Sequence, residues 1–457
     1  MTTVRIVVVG ANAAGMSAAH TVLRAARSAG RGVRVTAVEA SGHTSYSACG
    51  IPYWIAGDVS SGDDLVARTA QQHRDAGIDL RLGTRAVGLD VSRRVLTCEG
   101  ETPGEVEYDE LVLATGATAI VPDWARAAGG ALVPGVHPVK DLDDGEAWIE
   151  QLSAEPRRAV VVGAGYIGVE MAEALLRRGL STTLLTRGRV MGGLDDDMGD
   201  RVAAGIREAG VDLRTETTVK RLETSEGRVS GVVTADGDVL PADVVVLAIG
   251  VEPATALGSD AGLPVGEAGG YLPDAGGRIA AGVWAAGDCC EVEHRLTGQP
   301  AFLPLGTHAN KLGRVVGDNL LGGDRRFGGA LGTAITRFVV DEVHVEISRT
   351  GLSSREADEA GHDVVALVTE GSTISGYMPD AAPIATKVIA DRTTRALLGV
   401  QVVGGPGAGK RIDAAAAALW GAMSVDDLAG MDLSYAPPFA TAWDALQIAA
   451  RRLAERI

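Results

Sequence analysis

Lysine is nearly missing from this chain of 457 residues: of its 42 basic residues, five are Lys and the rest are Arg. Positive charge is scarce altogether, because 59 acids bring the formal net charge to −17. Such a surface repels phosphate backbones, so no nucleic-acid partner is expected, and an anionic substrate would need a locally basic pocket. Aromatics make up 4% of the chain. Cysteine occurs only at Cys49, Cys98, Cys289 and Cys290, too few for a disulfide framework at this length. That usage suits a reducing compartment and predicts a cytoplasmic protein. No apolar run reaches the ~18 residues of a membrane span. Ile6 to Val9 runs straight into a glycine turn, which reads as a strand start and not as a signal peptide. The alanine-rich run from Ala414 to Met423 reads as a buried helix. His43, His308 and His344 have no ligand-like spacing, so no metal is expected.

What the chain does have is a repeat. Ile6-Val-Val-Val-Gly10-Ala-Asn12-Ala-Ala14-Gly15 is echoed by Ala159-Val-Val-Val-Gly163-Ala-Gly165-Tyr166-Ile167-Gly168. Each copy is a β-branched run, a glycine turn and an alanine-rich helical pattern, the opening of a βαβ unit. Two openings predict two Rossmann-like dinucleotide-binding domains. Short apolar strands ending in Ala114-Thr115-Gly116, in Gly250 and in Gly287-Asp288 complete them. Beyond about residue 330, alternating stretches at Val343–Ile347 and Leu397–Val403 predict an antiparallel sheet, followed by helices at 411–423 and 441–455. The predicted fold is α/β, with a C-terminal α+β domain suited to dimerisation. Its expected parts are residues 1–120 and 251–328 for one dinucleotide, 121–250 for the other, and 329–457 for the dimer.

In Gly163-x-Gly165-x-x-Gly168 the first glycine makes the turn, the second admits a pyrophosphate, and the third lets helix pack on strand. The phosphates then face the open N–H groups of a helix start. In the first copy Asn12 replaces the middle glycine, a residue that tolerates left-handed φ. Glu39 closes the next strand, where a carboxylate can accept from a ribose hydroxyl. The matching strand of the second copy, Thr182–Thr186, lacks that acid and is followed by Arg187 and Arg189. Guanidinium groups there favour a 2′-phosphate, so NADPH is expected over NADH.

Cys49 lies in Ser45-Tyr46-Ser47-Ala48-Cys49-Gly50-Ile51-Pro52-Tyr53-Trp54. Pro52 suits a helix's first turn and Ser47 its cap, which places Cys49 at the positive end of a helix, where a thiolate is favoured. Positions 44 and 54 are Thr44 and Trp54, so no local dithiol forms. A redox-active Cys49 must find its second sulfur in a substrate or cycle through a sulfenic acid. Cys98, Cys289 and Cys290 read as packing residues.

These motifs together resemble the FAD- and NAD(P)-linked disulfide reductase superfamily, in particular its single-cysteine branch of coenzyme A disulfide reductases and NADH oxidases. The pieces that carry the resemblance are Gly10 to Gly15, Glu39, the Ser45–Tyr53 segment, Ala114-Thr115-Gly116, Gly163 to Glu170, Ala286-Gly287-Asp288 and Tyr435-Ala-Pro-Pro-Phe439. The resemblance implies FAD held by the first turn, Glu39, Ser45, the Ala114–Gly116 strand end and Asp288. It implies a nicotinamide cofactor held by Gly163–Gly168, Glu170, Thr186, Arg187, Arg189 and Gly250. It also implies a homodimer in which Tyr435 and Tyr377 reach the partner's cysteine, and a coenzyme A-type disulfide substrate held by Arg24, Ser45 and Lys311, with Lys410 and Arg411 as further candidates. Ala48 departs from the asparagine common before that cysteine. No His follows His362, which removes the His–Glu pair of the dithiol reductases. The rival readings are an NAD(P)H oxidase acting on O₂ and a flavin redox carrier for a protein partner.

Overall fold

The computed structural model describes residues 3–457. Its contacts divide the chain into two compact units, each assembled from separate segments.

The first unit comprises, among the described residues, 3–51, 60–118 and 251–330. Its six-stranded sheet runs in the order Arg278–Ala280, Val283–Ala285, Glu110–Leu113, Val4–Val9, Val33–Val38, Ile78–Arg81. All neighbours are parallel except the first pair. Ile6 to Val9 and Leu111 to Leu113 are buried, as continuous β-branched runs in a parallel sheet should be. The helix Ala13–Ala29 packs on Gly306–Asn319 at unusually short range. A Cβ on Gly313 would come 2.3 Å from the Ala14 carbonyl oxygen, and one on Gly317 would come 2.6 Å from that of Ala18. Those glycines are therefore a condition of the helix pair. A three-stranded antiparallel sheet, Thr84–Asp90, Val95–Gly100 and Gly104–Glu107, carries Cys98 into the core.

The second unit comprises residues 52–59, 119–250 and 331–457. Its parallel sheet runs Asp212–Arg214, Ser181–Leu185, Arg158–Val162, Val244–Leu247, Val136–Pro138. The strand expected over Thr182–Thr186 thus starts and ends one residue earlier. A meander of Val219–Ser225, Arg228–Thr234 and Val239–Pro241 is inserted before Val244–Leu247. The C-terminal sheet is antiparallel and five-stranded: Ala334–Val340, Val343–Gly351, Leu397–Gly404, Pro383–Asp391, Val364–Ser372. Helices Ile412–Trp420 and Ala445–Ala454 fall within the two expected spans, and Val425–Gly430 adds a short third. The alanine-rich helix buries Ala415 and Ala418 but leaves Trp420 exposed at its end. Among the described residues no helix is long and apolar enough to cross a membrane.

Candidate active site

The two glycine turns are the same construction built twice. Gly10 and Gly163 have φ of +98° and +107°, and a Cβ on either would strike the carbonyl of Ala114 or Ala248 at 2.1 or 2.2 Å. Gly15 and Gly168 lie so close to the preceding turn that a Cβ would sit 1.9 or 1.8 Å from the oxygen of Gly10 or Gly163. The middle position behaves otherwise. Asn12 has φ −110° and Gly165 φ −83°, so neither is left-handed and the tolerance of asparagine for that region is not what preserves the first turn. A Cβ on Gly165 meets nothing within 4 Å, so the protein's own packing leaves room at this position.

The residues fit the two dinucleotides. Helices Ala13–Ala29 and Tyr166–Arg177 both begin without a side-chain cap and without an acid in the first turn, which leaves their N–H groups and positive ends for phosphate. Above the second helix, the Tyr166 hydroxyl is buried with no partner, and burial pushes it up to about 12. Glu39 accepts from the Ala11 N–H at 2.8 Å and from Ser41 N–H and Oγ at 2.9 Å. A carboxylate has lone pairs to spare for a ribose hydroxyl beyond these. Thr115 Oγ1 donates to the Ala254 carbonyl at 2.6 Å and Gly116 accepts from Ala254 N–H at 2.9 Å, which fixes the strand end Ala114-Thr115-Gly116. Gly287, at φ +93°, packs against Ala14, beside the half-buried Asp288. Cys289 and Cys290 are buried behind this turn, with Cys289 Sγ on the Leu113 and Ala286 carbonyls.

Cys49 is the exposed cysteine. It sits in the 3₁₀ turn Ala48–Gly50, which runs directly into the helix Ile51–Ala56. Ser47 precedes this turn but its side chain makes no cap, contrary to expectation. Gly50 is required by packing, because a Cβ there would lie 2.3 Å from Leu65 Cδ2. Ser45, four residues upstream, is held at φ +48°.

In the second unit, Glu170 accepts from Thr336 Oγ1 at 2.7 Å. Burial pushes its carboxyl up to about 7, opposed by the Thr336 hydrogen bond and reinforced by Glu173. Glu173, buried one turn along, accepts from Val339 N–H at 2.8 Å and is also raised by burial. Arg177 joins Glu173 to Asp58, and Arg337 reaches the same Asp58 at 3.1 Å while lying over the Tyr53 ring. Arg178 donates to the Ile55 carbonyl at 2.6 Å. This arginine cluster on Pro52–Val59 was not legible in the sequence; its partners lie more than a hundred residues apart.

The two candidate phosphate ligands divide. Arg189 is paired with Asp200 at 2.6 Å and Asp196 at 3.3 Å, whereas Arg187 is exposed beside Thr186 and Gly188. Gly250, at φ +111°, accepts from Ile120 N–H at 3.1 Å. Ile167 is exposed at the start of its helix. Arg24 and Lys311 are exposed on the two helices that pack together in the first unit. Lys410 pairs with Asp413, and Arg411, largely covered, pairs with the buried Asp444 at 2.9 Å. Tyr377 and Tyr435 lie in the other unit from Cys49, on adjoining loops joined by the Ser375 N–H to Pro437 oxygen hydrogen bond at 3.1 Å. Both are exposed, 75% and 51%, together with Phe439 and Trp443. Among the described residues no cluster of His, Cys, Asp and Glu could hold a metal ion.

Residues 4–306 match the pyridine nucleotide-disulphide oxidoreductase family, and residues 340–446 match the dimerisation domain of the same family. The chain is 36% identical over 98% of both chains to a protein of Pyrococcus horikoshii named NAD(P)H coenzyme A polysulfide/persulfide reductase. It is 30% identical, again over 98% of both, to a protein of Methanocaldococcus jannaschii named NADH oxidase. Among solved structures, an NAD-dependent persulfide reductase from A. fulgidus superposes with a TM-score of 0.91 at 34% identity, covering 99% of this chain and 83% of that one. With its twin glycine turns and these matches, the chain belongs to the pyridine nucleotide-disulphide oxidoreductase family, as an FAD-dependent NAD(P)H oxidoreductase.

Proposed function

We propose that this enzyme uses NAD(P)H to reduce a small coenzyme A-linked disulfide, persulfide or polysulfide through Cys49 alone. The observation that carries the reading is the contrast among the cysteines: Cys49 is exposed while Cys98, Cys289 and Cys290 are buried. A thiol so placed takes its redox partner from outside the chain. The named activities of the Pyrococcus and A. fulgidus relatives support the substrate class.

FAD, when bound, supplies the transfer of the nicotinamide's electron pair toward sulfur. The chain's own tasks are to hold both dinucleotides on its helix starts and to hold Cys49 for attack. The Cys49 thiolate attacks the substrate's S–S bond, one sulfur leaves as a thiol after taking a proton, and the other remains on Cys49 as a mixed disulfide or persulfide. Two electrons and a proton then restore the thiolate and release the second thiol from a mixed disulfide, or hydrogen sulfide from a persulfide. Tyr435 of a second copy is the proposed proton donor to the leaving sulfur, with Tyr377 beside it. The exposed aromatic patch of Tyr377, Tyr435, Phe439 and Trp443 supports a homodimer covering that face. Arg187 is the proposed contact to the 2′-phosphate of NADPH. Arg24, Ser45 and Lys311 are the proposed contacts to the anionic substrate.

The identity of about 30% to a protein named NADH oxidase favours a second reading, in which Cys49 cycles as a sulfenic acid and O₂ takes the electrons. Mass spectrometry of the enzyme purified without thiols, under denaturing and non-reducing conditions, tests both. An adduct on Cys49 with the mass of a coenzyme A moiety is expected. Steady O₂ consumption without any disulfide, or full disulfide turnover by Cys49→Ser, would overturn the proposal.

A further inference from the structure

The turn that carries Cys49 is fastened to a neighbouring segment. Ser47 N–H donates to the Leu65 oxygen at 2.9 Å, Ala67 N–H donates to the Ser45 oxygen at 2.8 Å, and Tyr46 bridges Val66 between them. Ser45 is held in the left-handed region, which a serine occupies only when its surroundings enforce it. Its backbone is held at both ends, Ser45 N–H donating to the Ala11 oxygen at 3.3 Å and its own oxygen accepting from Ala67, and its side chain makes a further contact. Ser45 Oγ lies 2.9 Å from Nε2 of His73, which is fully buried. His73 Nδ1 lies 2.8 Å from Nε2 of His20. Arg68, the residue after Ala67, brings its Nη1 to 3.1 Å from His20 Nε2 and 3.4 Å from His20 Nδ1. The chain of contacts therefore closes on itself: Ser45, His73, His20, Arg68, Ala67, and back to Ser45.

We infer that His73 is a positioning residue for the Cys49 turn, acting through the Ser45 hydroxyl, with His20 and Arg68 fixing which His73 nitrogen carries the proton. A guanidinium only donates, so the nearer His20 nitrogen, Nε2, presents a lone pair to it. In this tautomer that single lone pair is shared, in a three-centre contact, between Arg68 Nη1–H and His73 Nδ1–H. His73 Nε2 is then an acceptor and takes the Ser45 O–H. The charged groups that act on the histidines are Arg24, Arg27 and Arg68, all cations. Burial first, and these cations second, hold His20 down at about 4 and lower His73 as well, so the pair stays neutral at working pH. A neutral pair suits orientation and is too weakly basic to deprotonate a thiol.

The inference rests on Cys49 being the reacting thiol, and its test separates the two. The rate of Cys49 alkylation by iodoacetamide is measured on flavin-loaded enzyme, and turnover is measured separately. His73→Phe is expected to slow alkylation three- to tenfold and to lower kcat with KM for NAD(P)H unchanged. Ser45→Ala is expected to do the same, and the double variant to be no worse than either single one. His73→Gln, whose amide oxygen can accept from Ser45, is expected to restore alkylation to within twofold of wild type. Multiplied effects in the double variant, or no rescue by glutamine, would overturn the inference. Where His73→Phe does not fold, the half-buried His20→Gln replaces it, with two- to threefold slowing expected and no change counting against. An intact alkylation cycle in an enzyme inactive on every coenzyme A disulfide and persulfide would sink the substrate reading alone.

Discussion

Glu170→Gln tests what the charge of one largely buried carboxyl costs the fold. The Glu170 carboxyl stands at about 7 in the folded chain against an ordinary 4.5, chiefly because burial disfavours its ionised form. One pKa unit corresponds to about 1.4 kcal/mol, so keeping this group ionised above pH 7 costs about 3 kcal/mol of stability. The folded value lies above the unfolded one. The group's favourable contribution is therefore complete below about 4.5 and is lost as pH rises through about 7. Glutamine keeps an oxygen to accept from Thr336, carries no charge, and relieves the neighbouring Glu173. Thermal unfolding of the flavin-loaded enzyme without NAD(P)H is the assay, with both proteins run at pH 5 and pH 8. At pH 5, just above the ordinary value, the variant is expected to melt only slightly higher, and at pH 8 several degrees higher. The same difference at both pH values would show that Glu170 does not titrate in this window. A lower midpoint for the variant at pH 8 would show that the ionised carboxylate is itself stabilised, and would refute the reasoning.

Gly313→Ala drives a methyl group to 2.3 Å from the Ala14 oxygen; a loss of about 1–3 kcal/mol and a lower flavin-to-protein absorbance ratio are expected, and an unchanged melt would contradict the packing. Arg187→Ala should raise KM for NADPH about tenfold, one charge-assisted hydrogen bond's worth, and leave KM for NADH alone. Arg189→Ala, whose guanidinium is taken up by Asp196 and Asp200, should change neither. Arg411→Ala leaves Asp444 buried without its cation and should cost about 3–5 kcal/mol, read as a lower thermal midpoint. It also releases the carbonyls of Thr373 and Phe439, so size-exclusion chromatography should show a weakened dimer.

The glycine turns were legible because their chemistry is local. The spacing of Gly163, Gly165 and Gly168 is itself the geometric demand, and the β-branched runs before Gly10 and Gly163 declare buried parallel strands. At the middle position the expectation of a left-handed Asn12 fails: its φ is −110°, so the turn does not call on that tolerance. Arg189's pairing with Asp196 and Asp200 was not legible, because a guanidinium's partner depends on where the next helix turns its carboxylates, which spacing alone leaves open. The contacts of Asp58 with Arg177 and Arg337 span 119 and 279 residues, and no local pattern carries such a pairing. The histidine pair is illegible for the same reason, since His20 and His73 are 53 residues apart and neither stands in a motif.

The first unit draws on the beginning and the late middle of the chain, and this constrains how the enzyme is made. The helix Ala13–Ala29 gains its helical neighbour with Gly306–Asn319, and the strand Glu110–Leu113 gains its outer neighbour with Val283–Ala285. At a ribosomal pace of about 5–20 residues per second, the first glycine turn waits roughly 15–60 s for that support. During this interval a hydrophobic strand edge stands open and flavin has no finished seat. Nascent chains should therefore depend on holding chaperones until residue 330 has emerged. A ribosome stalled before then would release a product able to aggregate but not to turn yellow.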